Sequence, residues 1–324
     1  MSLPVASLLS PKHDYVLLYQ ITDQQQFGIS RFSFDSKNQA IFRYKNRPGP
    51  NPGPLQRPSA ISAVYVNDLP TVYGSVEIVV DDTAQPPKKG SIVAQLSPQL
   101  YSIADKEGIA SISLPTDNLS LAAVSDGADQ VWLYYFQQAK TGDPLALAEA
   151  YISGNDAPEV KLPDKNIEPY SKSRLAGAFI PDPNGNPGRI VFYQRKVDDE
   201  NNPIHALLQI SNANTSTEKL PSTDAALKGT PLAAVVVGQM PDYSVYLYFL
   251  STAIRIERCV FRKGKWNAAE EVKGVNKDAN LTSKETGLTA VVGEKGISLF
   301  YVQKKSVAKE YSFAIDPFDY HNAA

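Results

Sequence analysis

Short apolar runs recur along the chain at a nearly constant spacing. Each repeat opens with a small apolar run of four residues, and from Ile61 onward the copies lie about 54–60 residues apart. A second run, rich in aromatic and β-branched residues, follows each copy in step. Two motifs that recur with nearly the same spacing along the chain indicate a repeat architecture. The first motif is Pro4–Ser7, Ile61–Val64, Leu121–Val124, Leu175–Ala178, Leu232–Val235 and Leu288–Val291; the second is Leu17–Gln20, Glu77–Val80, Leu133–Phe136, Ile190–Tyr193, Tyr246–Phe249 and Leu299–Val302.

Each repeat continues with a third strand-like run, and some repeats add a fourth, such as Ala40–Tyr44. No segment holds an apolar period of 3.6 residues beyond about two turns, so long amphipathic helices are not expected. Three to four antiparallel strands in about 55 residues make one blade of a propeller. The pattern therefore predicts an all-β fold, a six-bladed β-propeller formed by residues 1–324 as a single domain. The approximate blades are 1–55, 56–115, 116–170, 171–226, 227–283 and 284–324.

Composition narrows the class of partner. The chain has 324 residues, a formal net charge of −2 and 20% charged residues of both signs. A positive surface for nucleic acid or anionic membrane is therefore not expected. The single cysteine, Cys259, cannot form an intrachain disulfide. The first residues lack the basic region of a secretory signal, which favours a cytoplasmic protein.

Motifs for cofactor chemistry are missing from the sequence. It contains no P-loop, no G-x-G-x-x-G and no G-x-S-x-G. One cysteine and three scattered histidines give no zinc-ligand spacing. We therefore expect neither a cofactor nor a bound metal.

The order of motifs within a repeat resembles the fungal fucose-specific lectins over nearly the whole chain. The fifth repeat matches best, through Leu232–Val235, Tyr246–Phe249, Ile254–Glu257 and Gly264–Trp266. This resemblance implies a six-bladed propeller that binds sugar between blades. In that family an Arg of the second strand, a Glu of the third strand and an aromatic ring hold each sugar.

This chain departs from the family at those positions. Alignment of the repeats indicates that no repeat keeps the complete triad, and that Arg189 lies one residue away from the arginine position, on the opposite face of its strand. Only two Trp residues, Trp132 and Trp266, are available for stacking. We interpret the usual sugar sites as lost. The glutamate position aligns with Arg31, Glu149, Ala206, Glu257 and Glu310, and the arginine position with Val16, Leu133, Ile190 and Leu299.

A lectin-like propeller without lectin triads also resembles the fungal hetero-Diels–Alderases of tropolonic sesquiterpene biosynthesis, which use no cofactor. The leading hypothesis is thus a pericyclase of fungal secondary metabolism. It would join an apolar terpene to a polar enone, a tropolone quinone methide, by intermolecular cycloaddition. Holding two reactants in place supplies up to roughly 7–11 kcal/mol of the barrier. The alternatives are a divergent fucose- or glycan-binding lectin and a protein-interaction propeller.

Candidate residues for the enzyme hypothesis are polar or aromatic groups near strand ends. Basic residues precede several first strands, where they could bind the tropolonate oxygen, and a histidine can act as an acid or base near neutral pH. Solvated charges and core packing remain the alternative roles of these residues. The predicted catalytic residues are Arg174, His205 and Tyr246, and the predicted substrate-binding residues are Arg57, Trp132, Arg189, Lys228, Glu257 and Lys284.

Overall fold

A computed structural model shows two compact units, residues 4–166 and residues 167–324. Every element in the part of the chain that it describes is a β-strand, and all strand pairs are antiparallel. None of the described elements is a helix that is long and apolar enough to cross a membrane. The described residues are 4–12, 15–21, 27–33, 42–45, 60–81, 83, 88–96, 118, 120–138, 143–153, 159–163, 167–197, 202–210, 214–273, 275, 287–293, 296–302 and 311–317.

The unit of residues 4–166 has three sheets within its described residues, each with its strands in chain order. The first sheet contains β1 (Val5–Leu9), β2 (Tyr15–Ile21), β3 (Phe27–Ser33) and β4 (Phe42–Lys45). The second sheet contains β5 (Ile61–Val66), β6 (Leu69–Asp81) and β7 (Lys88–Gln95). The third sheet contains β8 (Leu121–Ser125), β9 (Gln130–Gln137), β10 (Ala146–Ser153) and β11 (Glu159–Lys161).

The unit of residues 167–324 also has three sheets where the structure describes it. The fourth sheet contains β12 (Ala176–Ile180), β13 (Gly188–Gln194), β14 (Ile204–Ile210) and β15 (Asn214–Lys219). The fifth sheet contains β16 (Leu232–Gln239), β17 (Asp242–Leu250), β18 (Ile256–Arg262), β19 (Lys265–Trp266) and β20 (Glu270–Glu271). The sixth sheet contains β21 (Leu288–Gly293), β22 (Gly296–Val302) and β23 (Tyr311–Asp316).

The second strands of the fourth and sixth sheets, β13 and β22, are buried on both faces, as their aromatic and β-branched composition predicts. Every residue of β13 and of β22 is buried. A strand that is apolar on both faces is stable only between two packed layers. In the fifth sheet, Val245, Leu247 and Phe249 pack toward the fourth sheet, whereas Tyr246, Tyr248 and Leu250 pack toward the sixth. Within this unit the core therefore lies between successive sheets.

The second repeat differs from its predicted register. The strand paired with Ile61–Val64 uses Thr71–Gly74, and the predicted run Glu77–Val80 lies farther along the same long strand, β6. The chain turns at Asn67 and Asp68, both with positive φ, 49° and 63°. Two residues of positive φ are the requirement of the tight type I′ hairpin turn, so the second strand begins directly after the first.

Each described sheet falls inside one of the six predicted repeat intervals. The division of the chain into two units does not test the single-domain assignment, which stays a prediction.

Candidate functional site

A pocket lies between the fourth and fifth sheets, within the unit of residues 167–324. It encloses about 30 Å³ in a concave space of about 300 Å³ that is open to solvent. A volume of this size holds about two water-sized groups, since each needs roughly 10–15 Å³. The lining residues are Ile190, Ala206, Leu208, Ser216, Glu218, Tyr243, Phe261 and Trp266.

Strand register explains why these residues share one wall. In the fourth sheet Ile190 pairs with Leu208, and Leu208 pairs with Ser216. Ala206, two residues before Leu208 on β14, pairs with Glu218 on β15. Directly paired residues of antiparallel strands point to the same face, and residues two apart along a strand do so too. The fourth sheet thus contributes an apolar floor that ends in a hydroxyl and a carboxylate.

The opposite wall is aromatic. Tyr243 and Phe261 stack with ring centroids 5.6 Å apart and an interplanar angle of 29°. Phe261 and Trp266 are paired across the β18–β19 hairpin, with ring centroids 5.3 Å apart. Trp266 also meets Phe192 edge-on at 5.7 Å. Contacts of this kind fix ring positions without filling the pocket mouth.

One charged group lines the pocket, the carboxylate of exposed Glu218. Burial raises the pKa of the Tyr243 phenol, so this group stays protonated and neutral. The pocket can therefore offer ring faces, one hydroxyl and one acidic acceptor to a ligand.

The pocket coincides with the position where the lectin resemblance implies a sugar. Ile190 and Ala206, assigned above to the arginine and glutamate positions of the fourth repeat, both line it. The residues at both of these positions are apolar in this repeat. Glu218 supplies an acidic group from the fourth strand instead of the third.

Register corrects the alignment in other repeats as well, including the sixth, where Ser298 rather than Leu299 pairs with Val291 at the end of the first-strand motif. Ile190 pairs with Ala178, the last residue of the first-strand motif in the fourth repeat. In the third repeat the residue with the equivalent pairing is Trp132, which pairs with Val124, rather than Leu133. The residue equivalent to Ala206 in the fifth repeat is Arg258, because Arg258 pairs with Tyr248 as Ala206 pairs with Phe192. Glu257 therefore does not occupy the glutamate position, since one residue of offset moves a side chain to the other face of a strand.

Glu257 faces the fourth sheet along with Cys259 and Phe261. Four residues separate it from Phe261, which is about 13 Å along a strand. Glu149 keeps the predicted glutamate position, because it pairs with Tyr134 as Ala206 pairs with Phe192 in the fourth repeat. The substrate-binding role of Glu257 stays a prediction.

The three predicted catalytic residues do not share one face. His205 lies on the face of β14 opposite Ala206 and packs against Tyr193 at 5.9 Å. Tyr246 points from β17 toward the sixth sheet, where its hydroxyl accepts a hydrogen bond from Arg262. Arg174 precedes β12 and is half-buried, and burial lowers the pKa of its guanidinium. Their catalytic role stays a prediction.

His205 is buried, with 7% of its surface exposed. Burial, together with the positive charges of Arg195 and Lys219, lowers the pKa of its imidazole to about 4. Its Nδ1 atom has no hydrogen-bond partner within the described structure. The ring is therefore neutral near pH 7 and cannot serve as a cationic acid there.

The remaining predicted binding residues are dispersed. Arg189 is buried on the face of β13 opposite Ile190, as its one-residue offset predicts. Trp132 is buried in β9 against Tyr151, with ring centroids 5.5 Å apart. Lys228 is exposed in the loop before β16. Arg57, Lys284 and Glu310 lie outside the described residues.

Sequence reasoning missed most of the pocket. Ser216 and Glu218 belong to a polar strand with no apolar alternation. Tyr243 and Phe261 have no sequence feature that sets them apart from other strand residues. The Gly264–Trp266 motif was the one available signal, because Gly264, with φ of +79°, turns the hairpin that pairs Trp266 with Phe261. In the described part of the chain, no group of three or more His, Cys, Asp or Glu side chains could hold a metal ion.

Solved structures of fungal lectins share this arrangement of sheets. A mutant of Aleuria aurantia lectin in complex with Fucα1-6GlcNAc is 15% identical, with a TM-score of 0.64 over 98% of this chain and 96% of that one. The same lectin is described as a six-bladed β-propeller with a novel fucose recognition mode. The chain has the fold of a β-propeller.

Two other solved structures extend the likeness. AofleA from Arthrobotrys oligospora is 14% identical, with a TM-score of 0.63 over 98% of this chain and 87% of that one. Penicillium chrysogenum α-L-arabinanase, solved with arabinobiose, is 12% identical, with a TM-score of 0.54 over 98% and 93% of the two chains. No family model matches the chain, and no curated protein sequence matches it either. The propeller fold of the fucose-specific lectins is therefore conserved here at very low identity.

Proposed function

We propose that the protein binds carbohydrate, and that the pocket between the fourth and fifth sheets is its sugar site. One observation carries the proposal: an aromatic wall faces a polar rim across the pocket. The wall consists of Tyr243, Phe261 and Trp266, and the rim of Ser216 and Glu218. The apolar face of a sugar packs on aromatic rings, and sugar hydroxyls donate to a carboxylate. Both kinds of contact are present in one concavity.

The size of the pocket suits a particular class of sugar. Its enclosed space of about 30 Å³ takes a methyl-sized group but not a whole ring. A 6-deoxy sugar such as fucose carries a methyl group that would enter this space while its ring rests in the open mouth. Methyl α-fucoside is therefore the first probe. With one stacking wall and one charged group, we expect a dissociation constant of about 1 mM.

The same dimensions separate this proposal from the pericyclase hypothesis. Cycloaddition between a terpene and an enone requires a cavity that holds both reactants against each other. The described pocket is shallow and open, and Arg174, His205 and Tyr246 are not among its lining residues. The pericyclase and protein-interaction hypotheses stay predictions.

The test uses two adjacent residues of the exposed strand β15. Ser216 faces the pocket, whereas Thr215 pairs with Gln209 and points to the opposite face. The variant Ser216→Phe places a ring over the pocket mouth, and Thr215→Phe adds the same ring to the other side. Both positions are exposed, so neither variant overpacks the core.

Ligand-observed NMR titration with methyl α-fucoside measures binding to each protein. We expect saturable binding by the natural chain and by Thr215→Phe, and a loss of at least about tenfold in Ser216→Phe, since a blocked concavity forfeits most of its contacts. Absence of saturable binding by the natural chain, or equal affinities of the two variants, would contradict the proposal.

A further inference from the structure

The charge that lines the pocket is of one sign only. Of its eight lining residues, only Glu218 carries a charge, and it is negative. The positions that resemble the arginine and glutamate sites of the lectins hold Ile190 and Ala206 instead. The pocket therefore holds a carboxylate and no cation among its lining residues.

The Glu218 carboxylate has no ion-pair partner among the described residues. Its chain neighbour Lys219 binds Asp224, with Nζ to oxygen distances of 2.8 and 3.1 Å. Across the strand pair Glu218 meets Ala206, whose methyl group cannot neutralise it. Its negative charge is therefore free to act on a ligand in the pocket.

Basic residues near the aromatic wall point away from it. Arg262 and Lys265 pair with each other across the β18–β19 hairpin, directly beside the pair formed by Phe261 and Trp266. Successive side chains on a strand alternate between faces, so this basic pair lies on the face opposite the pocket. Arg262 there donates to the Tyr246 hydroxyl. The neighbouring cations therefore do not cancel the charge of Glu218 inside the pocket.

The aromatic wall favours the same sign of charge. The negative face of an aromatic ring attracts an ammonium group within about 6 Å of its centroid, and Trp and Tyr do so more strongly than aliphatic side chains. Tyr243, Phe261 and Trp266 line the pocket beside the carboxylate. Three rings and one unpaired carboxylate are the chemistry that recognises an ammonium ion.

Resting on the carbohydrate proposal, we infer that this pocket selects a sugar carrying a protonated amino group over the neutral sugar with the same ring. An amino sugar would place its ring on the aromatic wall and its ammonium group against Glu218. A de-N-acetylated hexosamine is such a ligand. The N-acetylated form keeps the ring but loses the charge.

The experiment compares D-glucosamine, N-acetyl-D-glucosamine, methyl α-fucoside and tetramethylammonium by ligand-observed NMR at low salt. We expect D-glucosamine to bind about fivefold more tightly than N-acetyl-D-glucosamine, a preference that shrinks at high salt because the carboxylate is exposed. The variant Glu218→Gln removes the charge and is expected to abolish the preference. Glu168→Gln, which removes an exposed acid outside the pocket, is the matched control and should keep it.

The outcomes distinguish this inference from the carbohydrate proposal. Equal binding of the amino and N-acetyl sugars, or a preference that survives in Glu218→Gln, overturns the inference and leaves the sugar site standing. If tetramethylammonium binds and none of the three sugars does, the carbohydrate proposal is overturned. Loss of tetramethylammonium binding in Glu218→Gln would then support an ammonium site. Failure of all four probes overturns both.

Discussion

Removal of the Asp316 carboxylate is the most direct test of how the sheets of the second unit are joined. Asp316, on β23 of the sixth sheet, is 3% exposed. It accepts a hydrogen bond from the Tyr248 hydroxyl of β17 at 2.8 Å, and the Arg258 guanidinium of β18 donates to both of its oxygens. One carboxylate thus links the C-terminal strand to two strands of the fifth sheet.

The magnitude follows from what Asp316→Ala leaves behind. Without this acceptor, the buried Tyr248 hydroxyl has no hydrogen-bond partner, which costs about 1–3 kcal/mol. Removing one partner of a buried ion pair costs about 3–5 kcal/mol. Arg258 is partly exposed and keeps Glu270, to which Nε and Nη2 donate at 2.9 and 2.7 Å, so the ion-pair cost is reduced. We expect a total loss of about 3–4 kcal/mol in the free energy of unfolding.

Urea unfolding followed by circular dichroism measures this loss as a lower midpoint. The matched control is Glu271→Ala, which breaks the exposed pair between Arg255 and Glu271 at 2.6 Å. Both side chains of that pair are more than 40% exposed, so its loss should cost less than about 1 kcal/mol. If the two variants lower the midpoint equally, the link through Asp316 does not stabilise the unit as argued.

Three further predictions concern buried groups and turns. Since the pKa of His205 is about 4 when folded and near 6.5 when unfolded, the unfolded chain binds the proton first as the pH falls. The urea midpoint should therefore drop between about pH 6.5 and 4, and an unchanged slope in His205→Gln would contradict this. Burial, with the charges of Glu257 and Glu270, raises the pKa of the Cys259 thiol to about 12, so a disulfide reagent at pH 8 should label it only after unfolding. Gly238→Ala should cost about 2 kcal/mol or more, because its φ is +84° and a Cβ would lie 2.5 Å from a backbone oxygen, whereas Gly185→Ala, at φ +81° with open space, should cost about 1 kcal/mol by the same unfolding measurement.

The fold was accessible from sequence because it is repetitive. The aromatic second strand recurs, and β13 and β22 are buried along their whole length, so period and composition point to the same element. Exact register was not accessible in the second repeat, where Asn67 and Asp68 form a turn without the usual glycine. A long strand, β6, then carried two aromatic or β-branched stretches, and the pattern alone selected the wrong one.

The candidate site was only partly accessible for a related reason. Aligning apolar runs fixes the position of a strand to within a residue, but one residue decides which face a side chain occupies. The sequence pattern therefore places Glu257 at the glutamate position, which register gives to Arg258. Glu218 was missed because exposed edge strands bury little apolar surface and leave no periodic signal. The register of the hairpin formed by β14 and β15 is needed to place it beside Ala206.

The alternation of faces in β18 has a consequence for how this protein can change. Phe261 belongs to the space on one side of the fifth sheet, whereas Arg258 and Arg262 belong to the space on the other. Odd and even positions of a single short strand are thus separately mutable. Variation at odd positions can alter ligand preference while the even positions preserve the bond to the C-terminal strand. A randomised library restricted to Phe261 of β18 and Leu208 of β14, which line the pocket, would search new specificities while the buried core residues Cys259 and Ile204 and the bond from Arg258 to Asp316 stay unchanged.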